Sequence, residues 1–383
     1  MLTDEQIAKA LALIDERYHK IIRKYLQKVG ATVLKIGELN QSSINLLIQL
    51  RRMGVDVAEI ERELQRATRI TKDDIRKLYQ KAAEEANTDA RIAYLSKGVE
   101  PDSNRWNSLV ESIWRQTAGT MDNLSNTTVV SLEYQETVSE AVQAVSMGVT
   151  DYKSAMRDSL KRLGRVGMKV QYASGYSRRL DTAVRQNILD GVRQVQQKAE
   201  ELIGEEIGAD GVDISAHPHS APDHEPVQGR RFDLANYEKM QAGQPFEDVD
   251  GRKYPGFKRP ITQWNCRHVV AHILLGISRR RYSDEDLERW KRENQKGCEI
   301  DGKHYTTYEA TQMMRQLETE IRREKDTAIV AQAAGDDFLR RECQGNIKNL
   351  TSKYSQVAEA AGLKRRMEKT YVEGYKPIDE KVD

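Results

Sequence analysis

Residues 11–25 read LALIDERYHKIIRKY, and this stretch carries the pattern that decides the fold class. Its apolar residues recur at spacings of three and four, the period of one face of an α-helix. They are Leu11, Ile14, Tyr18, Ile21, Ile22 and Tyr25. The whole chain is polar, with 31% charged, 38% hydrophobic and 6% aromatic residues and a mean hydropathy of -0.72. Together these features predict a mainly α protein built from long amphipathic helices.

Length and charge narrow the class of protein. At 383 residues the chain is long enough for two or three domains. Lys and Arg total 61 against 59 Asp and Glu, so a net charge of +2 gives no overall attraction to nucleic acid or to an anionic membrane. We expect no signal peptide and no membrane segment. Cys266, Cys298 and Cys343 lie too far apart to suggest a disulfide framework, which fits synthesis in a reducing cytoplasm.

Glycines and capping residues divide the first part of the chain, 1–207, into predicted successive helices with few strands. Thr71 with Asp74 resembles a capping box, which predicts that a helix begins there and runs to Gly98, with Pro101 beyond. Other breaks are predicted at glycines within or between the periodic stretches. These are Gly30, Gly54, Gly119, Gly148, Gly164, Gly167 and Gly175.

The composition changes at 208–282, where six of the eight prolines and five of the seven histidines collect. The runs VDISAH, GRRFD and CRHVVAHI alternate in polarity as short strands do, and DVDGRKY predicts a turn at Asp250 and Gly251. We therefore predict a separate small α+β module that contains the His and Cys residues.

A helical C-terminal extension is predicted at 283–383. Ser283 with Asp286 resembles an N-cap pair, and Thr306 with Glu309 resembles a capping box. Between them CEIDGKHY places Asp-Gly between two short alternating runs, which predicts a β-hairpin. A last helix is expected over 336–361, ending at Gly362, with a loosely held tail from residue 373.

Most of the metal-ligating capacity of the chain lies in two segments of the predicted module. One carries His217, His219 and His224, and the other Cys266, His268 and His272. If the second segment is a strand, its period of two places its Cys and both His residues on one face. A zinc ion could then be held by four side chains. These are His217, His224, Cys266 and His268.

The spacing is weak evidence for zinc, because finger and ribbon sites usually show paired ligands two to four residues apart on each side of a loop, and Cys-x-His does not match that template well. In the alternative interpretation the histidines and Asn265 hydrogen-bond buried backbone in a module with little regular structure. In that case no cofactor is expected.

Catalytic motifs are not evident in the sequence. We find no convincing nucleophile with a base, paired carboxylates or glycine-rich phosphate loop. Asp223 and Glu225 flank His224 but have no assigned role. A protein without enzymatic activity is therefore predicted, and the main alternative is a metal-dependent nucleic-acid-processing enzyme that uses the His/Cys module.

Local basic clusters at 161–179, 279–281 and 364–366 could bind phosphates, although solvated helix faces explain them equally well. Tyr172 and Tyr176 are interleaved in the first cluster and could stack on bases. The candidate DNA contacts there are Lys161, Arg162, Arg165, Lys169, Arg178 and Arg179.

Six segments between about 160 and 375 occur in the order found in one family of phage proteins. They are YASGYSRRLDTAVRQNILDGV, ISAHPHSAPDHEPVQG, WNCRH, GISRRRYSDEDLE, DGKHYTTYEATQMMRQLETEIRREK and the stretch at 353–363. In this order they resemble phage minor capsid proteins of the second type, which are related to the Mu F-like head-morphogenesis proteins. Ala221 and Val227 depart from that family's pattern, and His219 and His272 are particular to this chain.

The resemblance implies a structural virion component made in the bacterial cytoplasm and associated with the portal protein, the major capsid protein or both during head assembly. Contact with packaged phage DNA, during packaging or ejection, is a further expectation. Carried over residue by residue, the family's structural or binding signature falls on eleven positions. They are Ser215, His217, Pro222, His224, Gln228, Gly229, Trp264, Asn265, Cys266, Arg267 and His268.

Overall fold

The computed structural model describes residues 4–37, 43–126, 128–129, 152–172, 175–262, 266 and 268–378. Helices dominate this part of the chain, so the predicted mainly α class is confirmed. The helices are α1 Asp4–Gly37, α2 Ser43–Lys97, α3 Ser103–Asn126, α4 Tyr152–Val166, α5 Leu180–Ile207, α6 Leu234–Gln241, α7 Asp284–Lys296, α8 Thr307–Ala333 and α9 Asp337–Ala360, with a 3-10 turn at Met367–Thr370. None of the described helices is long and apolar enough to cross a membrane.

Short antiparallel strand pairs accompany the helices. The strands are β1 Thr128–Val129, β2 Lys169–Gln171, β3 Ser177–Arg179, β4 Gly211–Ile214, β5 Arg231–Asp233, β6 Phe246–Glu247, β7 Lys253–Tyr254, β8 Val270–Ile273, β9 Cys298–Ile300 and β10 Lys303–Tyr305. The expectation of few strands before residue 207 is consistent with the described residues, where the short strands β1, β2 and β3 form one sheet. Gly175, at φ 79°, supplies the turn between β2 and β3.

Several predicted helix breaks are wrong. Helix α1 continues through Gly30, and α2 continues through both Gly54 and Thr71. At Gly30 the reason is packing, since a Cβ there would collide with the carbonyl oxygen of Val330 in α8. Thr71 does not cap a helix; it is buried and accepts a 3.0 Å hydrogen bond from Arg17 Nη1.

The other glycines divide into interior and terminal positions. Gly119 and Gly164 lie inside α3 and α4, so the breaks predicted there are also wrong. Gly98 and Gly167 have positive φ and follow the last residues of α2 and α4, as predicted. Gly148 lies outside the described residues.

The strands predicted within 208–282 are largely confirmed. Strand β4 lies between β5 and β8 in an antiparallel sheet, and β6 pairs with β7 around the predicted turn at Asp250 and Gly251. The run CRHVVAHI, however, is strand only from Val270 onward. Apolar residues of these strands, of the adjacent loops and of helix α6 form one core. Its buried members are Val212, Ile214, Val227, Phe232, Met240, Phe246, Ile261, Cys266 and Val270.

Local signals after residue 282 are confirmed one by one. Ser283 Oγ accepts the Asp286 amide at 3.1 Å, and Thr306 and Glu309 bond reciprocally as a capping box. Asp301 and Gly302, with φ of 52° and 74°, form the turn of the β9–β10 hairpin. The tail is better held than predicted, because Glu373 pairs with Arg23 at 2.6 Å and Tyr375 donates to Gln344 at 2.5 Å.

The chain divides into two compact units that are both discontinuous in sequence. Unit 1 comprises 1–10, 73–119 and 186–311, and unit 2 comprises 11–72, 120–185 and 312–383. The sheet β5-β4-β8 belongs to unit 1, and the packing of α1, α4 and α8 around Gly30 and Gly164 belongs to unit 2. The three sequence domains, 1–207, 208–282 and 283–383, stay a prediction.

Candidate functional site

A buried cluster of two histidines and a cysteine lies beside the central sheet of unit 1. His224 comes from the loop between β4 and β5, while Cys266 and His268 come from the segment just before β8. The loop is tied to that segment by backbone and side-chain bonds: the Ser215 amide donates to the Val269 carbonyl, and the Val269 amide donates to Ser215 Oγ, both at 2.8 Å. A tight turn then orients His224, whose amide bonds the Ala221 carbonyl at 3.0 Å.

The donor atoms of the cluster converge on a single sulfur. Cys266 Sγ lies 3.4 Å from His224 Nδ1 and 3.3 Å from His268 Nδ1, and one ligand atom from each residue lies within 4.8 Å of the other two. The backbone amide of His268 also donates to the sulfur at 3.4 Å. All three side chains are buried, at 1%, 3% and 5% exposure for His224, Cys266 and His268.

Oxygen atoms hold the outer nitrogens of these rings. His224 Nε2 lies 2.8 Å from the Arg259 carbonyl, and His268 Nε2 lies 3.4 Å from Ser220 Oγ. A carbonyl can only accept, so His224 is protonated at Nε2 and presents an Nδ1 lone pair to the sulfur. His217 stacks on His268 with 4.7 Å between ring centroids, and its Nδ1 lies 3.0 Å from the Pro218 carbonyl.

Burial keeps the cluster in its neutral form. It lowers the pKa of His224, and with His217 and His224 nearby it lowers the pKa of His268 to about 3. Burial also raises the pKa of the Cys266 thiol. The hydrogen bond from the His268 backbone amide lowers that pKa, but its effect is smaller than that of burial. Near neutral pH both imidazoles are therefore uncharged and able to donate a lone pair.

Two other predicted signature residues, Gln228 and Gly229, lie in the same β4–β5 loop as His217 and His224. Gln228 Oε1 accepts the His217 amide at 3.1 Å, and Gly229 has φ 67° with no room for a Cβ beside Leu287. Pro222 is exposed. Trp264, Asn265 and Arg267 lie outside the described residues.

Two of the histidines considered in the sequence do not join the cluster. His272 lies in β8, where its ring packs against Gly204, so the expected common face with Cys266 and His268 is wrong. The reason is that the strand begins only at Val270, and the period of two does not extend back through the loop. His219 adopts φ 60° in the turn that precedes His224.

Two supporting residues escaped sequence reasoning. Ser220 is buried and reaches His268, and Arg259 supplies the carbonyl that fixes His224. The Arg259 guanidinium makes two hydrogen bonds to Asp223, at 2.9 and 2.8 Å. Asp223 thus anchors the loop, while the other unassigned acid, Glu225, accepts from Asn294 Nδ2 at 3.2 Å. In the sequence, the role of Asp223 was indicated only by its position directly before His224.

Half of the candidate DNA contacts are engaged with carboxylates of unit 2. Lys161 pairs with Glu342 at 2.9 Å, Arg165 pairs with Glu320 at 3.0 Å, and Arg179 pairs with buried acids described below. Arg178 lies over the ring of Tyr176. Arg162 is exposed and Lys169 is partly exposed. The basic character predicted at 161–179 is therefore compensated at three of the six candidate residues.

A second buried polar cluster, in unit 2, has no counterpart in the sequence analysis. Arg179 pairs with Asp326 and lies 3.2 Å from Asp181, which also receives Arg322 and His19 at 3.5 Å each. Burial alone would raise the pKa of Asp181, but these neighbours outweigh it and hold that pKa well below its ordinary value. We call this set the Asp181–Asp326 network.

Comparison with known proteins gives one family. The family model described as Phage minor capsid protein 2 matches residues 2–358. Neither a curated protein nor a solved structure matches the chain.

Proposed function

Because the chain belongs to the phage minor capsid protein 2 family, we propose that it is a low-copy structural protein of a tailed-phage head, bound near the portal during head assembly. The structural role in the virion follows from the family. The location near the portal and the identity of the binding partners are the proposal. The family match covers nearly the whole chain, so it includes parts of both units and not one shared motif alone. That extent is the observation that carries the proposal.

The surface of the described helices supports binding to other proteins through charged and polar faces. Long helices such as α2 and α8 present charged residues at successive turns, and a helix face can bind along a groove of a larger partner. The near-neutral net charge of +2 fits a protein partner better than a purely electrostatic one. The portal protein and the major capsid protein are the proposed partners.

Particle imaging tests this proposal directly. Heads of the phage that encodes the chain, stripped of tails, should retain the protein at the portal vertex, and the full chain should co-purify with the portal protein of the same phage. Absence from purified heads, or uniform occupancy of all capsid vertices, would contradict the proposed location.

The competing hypothesis is a metal-dependent nucleic-acid-processing enzyme that uses the His/Cys cluster. Burial of all three side chains argues against it, since a substrate phosphate must reach the metal. Full-length protein supplied with Zn²⁺ or Mg²⁺ should leave single-stranded and duplex DNA intact. Cleavage that disappears in His224→Ala and His268→Ala variants would replace the structural role with an enzymatic one.

Binding of packaged DNA stays a prediction. The best candidates for phosphate contacts are now Lys169 and Arg178, because neither forms an ion pair with a carboxylate in the described part of the chain. Replacing both with Gln should weaken duplex binding. The slope of log affinity against log salt should become shallower by about 0.9 for each phosphate that is no longer neutralised. Gln at Lys161 serves as the matched control, because Lys161 already pairs with Glu342. Equal salt slopes for wild type and the double variant would remove DNA from the proposed partners.

A further inference from the structure

We propose that His224, Cys266 and His268 bind a structural zinc ion through His224 Nδ1, Cys266 Sγ and His268 Nδ1. The inference goes beyond the role in the phage head and does not depend on it. A fourth coordination position would be taken by water or by His217, which stacks on His268.

The spacing of the donor atoms fits this ion. Zinc bonds of about 2.0–2.1 Å to nitrogen and about 2.3 Å to sulfur, at a tetrahedral angle, place the sulfur and each nitrogen about 3.6 Å apart. In the structure those separations are 3.4 Å for His224 and 3.3 Å for His268. For these two sulfur–nitrogen pairs only a small adjustment is therefore needed.

The hydrogen bonds around the cluster are those that orient metal ligands. A ligating histidine commonly donates its other ring N–H to an oxygen, which fixes the tautomer and directs the free lone pair at the metal. His224 does this through the Arg259 carbonyl, and His268 is placed to do so through Ser220 Oγ. The His268 amide on the sulfur favours a thiolate.

Without a metal the protons of the cluster can be placed in one way only. The Cys266 thiol carries a single hydrogen and can satisfy only one of the two imidazole nitrogens that approach its sulfur. With His224 accepting that hydrogen, His268 must carry its proton at Nδ1 and accept at Nε2 from the Ser220 hydroxyl. A divalent cation satisfies both nitrogens and the sulfur at once.

The donor types select zinc among common ions. Two imidazoles and one thiolate suit a borderline ion, whereas Mg²⁺ and Ca²⁺ prefer oxygen ligands. The ligands come from two segments that are 42 residues apart in sequence, so the ion would join the β4–β5 loop to the approach to β8. We therefore expect the bound ion to stabilise the folded protein.

The test uses the full chain with an affinity tag free of histidine, expressed in zinc-supplemented medium and measured by elemental mass spectrometry. We expect about one zinc ion per chain, as for a structural site. Exchange for Co²⁺ should give the visible bands of a four-coordinate ion and a thiolate-to-cobalt charge-transfer band. Wild-type protein that takes up neither ion overturns the proposal.

Matched variants assign the ligands. Cys266→Ser should lose the charge-transfer band, and His224→Gln or His268→Gln should lose most of the bound metal. The controls are Cys298→Ser and Cys343→Ser, which replace buried cysteines elsewhere, and His272→Gln, which replaces a half-buried histidine of the same module. Metal retained by Cys266→Ser, or lost equally by Cys343→Ser, would contradict the assignment.

Alkylation keeps the proposal testable if the ligand variants fail to fold. At a urea concentration at which buried Cys343 begins to react, Cys266 of zinc-loaded wild-type protein should resist a thiol reagent, and it should react after treatment with a chelator, as located by peptide mass spectrometry. Cys343 should show no such dependence. Equal labelling of Cys266 with and without chelator would overturn the proposal.

Discussion

Two of the buried polar clusters in the described part of the chain compensate the loss of water around polar groups in different ways. The Asp181–Asp326 network of unit 2 brings Arg179 and Arg322 against two carboxylates, so its formal charges cancel. The His/Cys cluster of unit 1 consists of His224, Cys266 and His268, which are neutral and direct lone pairs at one another. The first pairs its charges within the chain. For the second we propose a cation from outside.

The largest expected effect is the loss of one acid from the network. Asp326→Ala leaves Arg179 and Arg322 with one carboxylate between them, and removing one partner of a buried ion pair costs about 3–5 kcal/mol. Urea unfolding followed by circular dichroism measures it. The control is Glu16→Gln, which removes an exposed pair with Lys20 and should leave the midpoint unchanged. Similar midpoints for both variants would mean that the network contributes little.

Removal of metal should be the next largest effect, and it would affect only the His/Cys cluster. At free zinc about one hundred times the dissociation constant, binding contributes about 2.7 kcal/mol to folding, which a chelator should abolish. Thermal unfolding with and without chelator measures this. Cys266→Ser should be insensitive to the chelator, whereas Asp326→Ala should respond as wild type does. If the chelator still lowered the unfolding temperature of Cys266→Ser, the stabilisation could not be assigned to a metal in the His/Cys cluster.

Overpacking beside the network should cost somewhat less. A Cβ at Gly164 would collide with Thr327 Cα, next to Asp326, so Gly164→Ala should destabilise the protein by about 1–3 kcal/mol. In the matched control, Gly345→Ala, the added Cβ meets nothing within 4 Å and should stabilise α9 by up to about 1 kcal/mol. Zinc content should be unchanged in both. A neutral Gly164→Ala variant would mean that α4 and α8 are not closely packed.

The smallest effect is a pH dependence. The folded-state pKa of Asp181 lies below the unfolded value of about 3.9, so its contribution is complete above that value and is lost as pH falls towards the folded one. The stability difference between wild type and Asp181→Asn should be constant from neutral pH to mild acid. Below the unfolded pKa it should shrink by up to about 1.4 kcal/mol per pH unit. A difference that shrinks already in mild acid would exclude a lowered pKa.

Sequence reasoning performed best where a few neighbouring residues fix the backbone. The Ser283 cap, the Thr306–Glu309 capping box and the Asp301-Gly302 hairpin were predicted because their hydrogen bonds span only three or so residues. The same reasoning failed at Gly30 and Gly164, which it took as helix breaks. A glycine also allows two helices to approach closely, and that requirement depends on a partner far away in sequence.

The candidate site was predicted in part. Composition singled out His224, Cys266 and His268 among the possible ligands, and the fold brings these three together. It could not show that His272 faces Gly204, because the start of β8 is set by pairing with β4. Nor could it find Ser220 or the Arg259 carbonyl, which carry no motif and act only through their position.

By itself the sequence determined the helical class, the local caps and turns, and the residue types available for a site, since each depends on short-range periodicity or on side-chain chemistry. Only the tertiary structure decided which distant groups meet. Arg179 and Asp326 are 147 residues apart, and His224 and Cys266 are 42 apart. Such pairs form because burial of the surrounding apolar surface brings their segments together, and no pattern along the chain records that.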